Sequence, residues 1–182
     1  ALDDGPVHLA ALGAIRANKR FADLARSVAA GKANVTLSIR GVAESPELAE
    51  ELRTISDTDP RIAVSFGRLS DAEWEAATDA ADLIVLPYAE ILNSGVLFHA
   101  LSRYRPVVAP RRGSIPEVRA QVGADWIHLF DGPFDELALY KALVWLRSTD
   151  RSAPPDLATQ DWNAIGANVA GFLAAIAEGR VR

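Results

Sequence analysis

The stretch LPYAEILNSGVLFHALSRYRPVVAP, residues 86–110, decides the fold of this 182-residue chain. It opens at the end of an apolar run at 82–87 and closes on a second apolar run at 106–110, with a helical pattern over 94–104 between them. Short, nearly continuous apolar runs are typical of parallel strands that are covered on both faces. The stretch therefore predicts a strand, a loop, a helix and a second strand parallel to the first.

The same alternation continues on both sides of this stretch. Further apolar, β-rich runs lie at 7–15, 34–41, 61–67 and 126–130, and helical patterns lie at 19–31, 45–56, 70–81, 114–123 and 133–148. Because strand and helix alternate throughout, we predict an α/β fold with a doubly wound, mostly parallel, six-stranded Rossmann-like sheet. A proline-containing linker at 149–157 and a closing helix at 158–179 complete a single domain spanning residues 1–182.

Composition narrows the classes of function. The formal net charge of −5 argues against a nucleic-acid partner, because phosphate backbones are bound by basic faces. The absence of cysteine excludes thiolate metal sites and thiol nucleophiles, and three histidines at unrelated spacings predict no metal site. The chain begins without methionine and enters an apolar run by residue 7, so we expect one cytoplasmic domain of a larger protein.

Two loops carry candidate binding chemistry. Ligands of open parallel sheets bind at the carboxyl ends of the strands, and anions gather at helix N-termini. The loop after the first strand offers Arg16 and Lys19, and the loop after the fourth offers Asn93, Ser94 and Gly95. These residue types predict a diphosphate site, while ordinary surface charge and helix capping stay open as alternatives.

Other signals are weaker. His99 is predicted to face the same cleft as Ser94, with a packed or surface histidine as the alternative. The four tryptophans fall at periodic apolar positions and are assigned to packing. The motifs GxxxxGK[ST] and GxGxxG are both absent, so neither a nucleoside triphosphate nor NAD has its usual marker.

Taken in order, several segments resemble the C-terminal, donor-binding domain of GT-B fold glycosyltransferases of the large retaining family 4, or group 1, type. They are LGAIRANKRFADLARSVA, VTLSIRG, DPRIAVSFGRLSDAEWEAATDAADLIVLPY, RPVVAPRRGSIPEV and DWNAIGANVAGFLAAI, together with the loop that contains LNSG. The resemblance runs over nearly the whole chain.

This resemblance implies a metal-independent hexosyltransferase of bacterial polysaccharide or glycoconjugate synthesis. Its substrate would be a nucleotide-diphosphate sugar, no cofactor would be needed, and the acceptor, a glycan or lipid-linked molecule, would sit on an N-terminal domain that this chain lacks. We also expect peripheral association of the full-length enzyme with the inner face of the membrane, and a homodimer of the isolated domain. The alternatives are a nucleotide-sugar epimerase of the same architecture and a non-catalytic interaction domain with a decayed donor site.

The resemblance also implies the site. The donor-binding residues would be Gly13, Arg16, Lys19, Gly41, Phe66, Arg68, Leu69, Glu90, Asn93, Ser94, Gly95 and Val96, and the catalytic set would be Arg16, Lys19, Glu90 and His99. One departure stands out, because the two glutamates typical of these enzymes fall on Ile91 and His99. Glu90 lies beside the first position, and no acid stands at the second.

Overall fold

The computed structural model describes residues 5–158, 162–178 and 180. Within this part, six strands and seven α-helices alternate along the chain. The strands are β1 (Val7–Leu12), β2 (Val35–Gly41), β3 (Ile62–Phe66), β4 (Leu83–Val85), β5 (Val107–Pro110) and β6 (Ile127–Phe130). The helices are α1 (Phe21–Ala30), α2 (Pro46–Thr58), α3 (Asp71–Asp79), α4 (Gly95–Ser102), α5 (Ile115–Val122), α6 (Glu136–Ser148) and α7 (Trp162–Ala177).

The six strands form one sheet in the order β3-β2-β1-β4-β5-β6. Every pairing between neighbours is parallel, which confirms the predicted doubly wound α/β fold. Leu9 of β1 pairs with Leu37 of β2 on one side and with Leu83 of β4 on the other. The strand order reverses between β1 and β4, and the crevice beyond their carboxyl ends is where ligands of such sheets bind.

Burial follows the position of each strand. All residues of β4 and β5 are buried, as expected for central strands covered by helices on both faces. The edge strand β3 alternates instead between a buried or partly buried residue and an exposed one. Helix α1 contributes Phe21, Leu24 and Val28 to the core, at a spacing that places them on one face.

The chain between β1 and α1 differs from the prediction. The strand ends at Leu12 rather than at residue 15, because Gly13 has a φ of +107° and leaves the strand conformation. A 3-10 turn over Ala17–Lys19 follows, and α1 starts only at Phe21 because Arg20 is left-handed, with a φ of 54°. Lys19 therefore belongs to a turn in front of α1 and not to the first turn of the helix.

The C-terminal part is a linker followed by a helix. Residues 149–157 form neither helix nor strand, and α7 lies inside the range predicted for the closing helix. Residues 159–161 and 179 of that predicted helix lie outside the described residues, as does the side chain of Trp162. Among the described helices, none has the length and apolar character needed to cross a membrane.

Candidate functional site

The candidate site lies where the loops that follow β1 and β4 meet, at the reversal of strand order. The amide of Ala89 donates to the carbonyl of Asn18 at 2.9 Å, which ties the two loops together. Both loops leave the carboxyl ends of adjacent strands, so their polar groups converge on one crevice. This is the location predicted for the diphosphate.

Two glycines shape the base of this crevice. Gly41 is the last residue of β2, and a Cβ atom at this position would lie 1.8 Å from the carbonyl oxygen of Gly13. No side chain fits there, so the two backbones approach closely only because position 41 is glycine. Both glycines thus allow the two backbones to pack closely beneath the crevice. Their contact with a donor remains a prediction.

Lys19 brings a cation to the crevice. Its Nζ lies 3.6 Å from the point where a Cβ on Gly13 would stand, and 5.0 Å from the ring centroid of Tyr88. Burial lowers the pKa of Lys19, and the nearby positive charge of Arg16 lowers it further. Among the described residues, no carboxylate contributes to this shift. The ammonium group is therefore partly dehydrated and without a neutralising acid, a state that favours binding of an anion.

The N-terminus of α4 faces the same crevice. Ser94 is buried and caps the helix, since its Oγ accepts a hydrogen bond from the Leu97 amide at 3.4 Å. Gly95 is exposed, and a Cβ added there would meet no heavy atom within 4 Å. The free amides of the first helical turn are therefore open to a ligand. Ser94 is therefore the N-cap of α4, and Asn93 lies exposed in the preceding loop.

The loop before α4 is held from the far side by the loop that follows β5. The amide and Oγ of Ser114 both donate to the carbonyl of Leu92, at 3.0 and 2.9 Å. Arg112 donates to the carbonyl of Ala89 at 2.7 Å. Glu90 is exposed on this loop. The loop is thus anchored by its backbone while its polar side chains stay accessible.

A tryptophan and a histidine line a cavity beside α4. Trp74, Gly95, Val96 and His99 surround a volume of about 340 Å³, and the rings of Trp74 and His99 meet edge to face at 5.7 Å. The indole of Trp74 also approaches Gly13, with 3.4 Å between its Cη2 and the Cβ position of that glycine. The structure thus brings His99 and Val96 to the crevice beside the β1 loop.

Trp74 packs against the core, as its periodic position predicts, and it also lines this cavity, a second role that the packing prediction did not include. The signal that could have identified it is its place one turn into α3, the helix that starts just beyond the carboxyl end of β3. In a parallel sheet, the first turn of such a helix lies at the same edge as the ligand crevice.

The last residue of β3 and the segment that follows it lie apart from the Lys19 ammonium. Phe66 packs under the guanidinium of Arg53, with 4.7 Å between the ring centroid and Cζ, and lines a separate hollow with Val42, Ser45 and Ala49. Arg68 is exposed and Leu69 is partly buried just before the cap of α3. The described contacts of Phe66 therefore do not join it to Lys19.

The assembled crevice carries positive charge, which suits an anion. Lys19, Arg16 and the amide end of α4 supply positive potential from two sides of the crevice. No group of three or more His, Asp or Glu side chains in the described part of the chain is placed to hold a metal ion. Such an arrangement can bind a diphosphate and stabilise the charge that grows on it as a leaving group.

No family model matches the chain. Over 132 residues it is 34% identical to a GDP-mannose:glycolipid 4-beta-D-mannosyltransferase of Xanthomonas campestris pv. campestris. The aligned part is 72% of this chain and 38% of that protein, so the chain spans well under half the length of this relative.

Solved structures share the fold. The Anabaena protein HepE, crystallised in complex with UDP, superposes with a TM-score of 0.75 at 18% identity, over 94% of this chain and 49% of its own. The C-terminal domain of a glycosyl transferase group 1 family protein, LpcC from Francisella tularensis, gives a TM-score of 0.61 at 19% identity. That match covers 80% of this chain and 77% of the domain, so a separately crystallised domain has the same architecture.

Proposed function

We propose that this chain is the donor-binding domain of a GT-B glycosyltransferase of the group 1 type, and that it binds the nucleotide-diphosphate-sugar donor of a hexosyltransferase. The observation that carries the proposal is the pairing of Lys19 with the open N-terminus of α4 at the reversal of strand order. A cation and a set of free amides act on the same phosphate oxygens, which is the requirement for holding a diphosphate.

The proposed chemistry is mainly positioning and electrostatics. Lys19, Arg16 and the dipole of α4 neutralise the nucleoside diphosphate as the bond between sugar and phosphate breaks. Asn93, Ser94 and Gly95 hold the distal phosphate and the sugar. Glu90 lies beside the position of the first glutamate typical of these enzymes, and His99 stands at the position of the second. Gly13, Gly41 and Val96 line this part of the site, and Phe66, Arg68 and Leu69 flank the base.

The acceptor is proposed to be a glycan or a lipid-linked molecule. The Xanthomonas relative is named for transfer from GDP-mannose to a glycolipid, and HepE was crystallised with UDP and with UDP-glucose. These names support a transferase over an epimerase or a scaffold. The base that this chain prefers is an outcome of the binding experiment below.

The stereochemical outcome is a separate prediction. The resemblance to the family 4 type implies retention at the anomeric carbon, whereas the name of the Xanthomonas relative specifies a β-linked mannose. A β-linked product from an α-linked donor requires inversion. The anomeric configuration of the product, read by NMR from the enzyme that contains this domain, distinguishes the two.

The setting of the domain is also proposed. In the active enzyme an acceptor-binding domain faces the crevice, in the cytoplasm at the inner face of the membrane.

For the isolated domain we propose a dimer formed with a second copy through α7, where exposed apolar side chains recur at helical spacing, namely Val169, Phe172, Leu173 and Ile176. Sedimentation velocity at several protein concentrations tests this, and a monomer at all of them contradicts it.

Calorimetric titration of the folded domain with UDP, GDP and ADP tests the proposed function. We expect at least one diphosphate to bind, and Lys19→Ala to weaken that binding by about 1.5–3 kcal/mol because a charge-assisted contact is lost. The matched control is Lys32→Ala, which removes an exposed lysine outside the crevice. A folded domain that binds none of the three nucleotides contradicts the proposal.

A further inference from the structure

Tyr88 is a buried tyrosine at the crevice to which nothing above gives a role. It follows β4 after Leu86 and Pro87, and its side chain is only 6% exposed. Its ring lies near two groups: the ring of Phe21, the first residue of α1, with centroids 6.2 Å apart, and the ammonium of Lys19 in the preceding 3-10 turn, 5.0 Å from the Tyr88 centroid. Tyr88 thus reaches from the end of β4 to the loop that carries the cation.

The ammonium of Lys19 is held between the two strands that border the crevice. On the β1 side it lies over Gly13, and on the β4 side it lies over the Tyr88 ring. The ring face carries negative partial charge and attracts a cation within about 6 Å of its centroid. A lysine side chain has four rotatable bonds, so an exposed one would sample many directions. In the described part of the chain, no acid competes with the ring for this charge.

From this geometry we propose that Tyr88 is a positioning residue of the donor site, whose ring holds the Lys19 ammonium where the diphosphate binds. The inference rests on the proposed function, since it concerns the same site. Tyr88 acts through Lys19 and touches neither the sugar nor the reacting atoms.

Removal of the Tyr88 hydroxyl separates the role of the ring from that of the hydroxyl. This hydroxyl is buried and has no hydrogen-bond partner among the described residues. Burial raises the pKa of Tyr88 to about 12, and the Ser94 side chain beside it offsets only part of that rise. Tyr88→Phe therefore keeps the ring and breaks no hydrogen bond, whereas Tyr88→Leu removes the ring and keeps an apolar side chain. The Tyr88→Phe variant should have a free energy of unfolding at least as high as that of the wild type, because burial of an unpaired hydroxyl costs free energy.

A double-mutant cycle tests whether Tyr88 acts through Lys19. With whichever of UDP, GDP or ADP binds the wild-type domain, we expect Tyr88→Leu to weaken binding by about three- to tenfold. Tyr88→Phe should bind like wild type. In the background of Lys19→Ala, adding Tyr88→Leu should cause no further loss, because the group it positions is gone.

The outcomes separate this inference from the proposed function. Binding by Tyr88→Leu at the wild-type level, or an equal loss from Tyr88→Leu with and without Lys19, overturns the positioning role and leaves the donor site intact. Failure of the wild-type domain to bind any of the nucleotides overturns both. Tyr140→Leu, at a tyrosine that is 64% exposed on α6, is the control for an unspecific effect of the substitution.

A readout without ligand accompanies the cycle. The aromatic ring current at the Lys19 side-chain methylenes, measured by NMR, should be present in wild type and Tyr88→Phe and absent in Tyr88→Leu. A variant that fails to fold is detected in the same spectra. Unchanged Lys19 shifts in a folded Tyr88→Leu domain also overturn the inference.

Discussion

Gly95 shows how a single residue keeps the site open. It is the first residue of α4, its surroundings hold no atom within 4 Å of an added Cβ, and its amide belongs to the unpaired set at the helix N-terminus. The fold therefore does not require a glycine at this position. In the proposed site, the absence of a side chain leaves the amides open to a phosphate.

Gly95→Ala should consequently separate stability from binding. We expect an unchanged or slightly higher free energy of unfolding, because alanine loses less backbone entropy than glycine, by about 0.5–1 kcal/mol within a helix. Diphosphate binding should fall markedly, because the methyl group blocks access to the amides. Urea unfolding and calorimetry measure the two effects on the same samples. Gly166→Ala, at an exposed glycine of α7 with no atom near its Cβ position, is the control and should leave binding unchanged.

The pKa of Lys19 gives a second prediction at this scale. Burial and Arg16 lower it in the ligand-free domain, so the unfolded chain holds more protons than the folded one between the lowered value and the ordinary value of 10.5. The free energy of unfolding therefore rises as the pH increases through that window, because the folded domain no longer has to bury a charged lysine. A bound diphosphate favours the charged form and should raise the pKa again.

Nucleotide affinity should therefore decrease as the pH rises through the range in which free Lys19 loses its proton. NMR titration of the Lys19 Nζ with and without bound nucleotide measures the shift directly. A pKa that is the same in both states would show that the ammonium does not contact the ligand. Lys32, which is exposed, provides the internal reference in the same spectra.

At the scale of elements, α3 positions the aromatic wall of the cleft. Its N-terminus is a capping box, in which Ser70 Oγ accepts from the Glu73 amide and the Glu73 carboxylate accepts from the Ser70 amide at 2.8 Å. The hydrogen bonds that the Glu73 carboxylate accepts from the Ser70 amide and hydroxyl lower the pKa of Glu73, so their contribution to stability is present at neutral pH and is lost as the pH falls through that lowered value. The residue directly after the box is Trp74, so the cap fixes where the indole stands.

Ser70→Ala should lower the free energy of unfolding by about 1 kcal/mol, because one amide at the start of α3 loses its acceptor. Chemical denaturation measures this loss. Ser148→Ala, at the exposed end of α6 where Ser148 Oγ only donates to the Trp145 carbonyl, should cost less. An equal cost in both variants would contradict a specific role of the capping box.

At the scale of the whole molecule, binding and folding are linked. A ligand that binds only the folded domain adds about 2.7 kcal/mol of stability at a concentration of about 100 times its Kd. For a domain of this size we expect a rise in Tm of roughly 5 to 10 °C. Thermal unfolding with and without the nucleotide measures it. Under the same concentrations Lys19→Ala should show a much smaller rise, and an equal rise in both would place the ligand elsewhere.

The fold was predictable because its signals are local. Apolar runs of four to eight residues mark covered strands, and the serines at positions 45, 70 and 94 mark helix starts. The boundary between β1 and α1 was not predictable in the same way. The left-handed Arg20 and the 3-10 turn before it follow a point where the chain is tied to the residue after β2, because the Ile15 amide donates to the Val42 carbonyl.

The alternation of strands and helices, the parallel sheet, and the two loops with a cation and a helix start can be read from the sequence alone, because periodicity and capping act over a few residues. Which side chains share the site depends on the tertiary structure. The placement of β1 beside β4 brings the Lys19 ammonium onto the ring of Tyr88, and the packing of α3 against α4 brings Trp74 to His99. Such pairs lie 25 or more positions apart along the chain, so they depend on strand order and close packing, which no local pattern encodes.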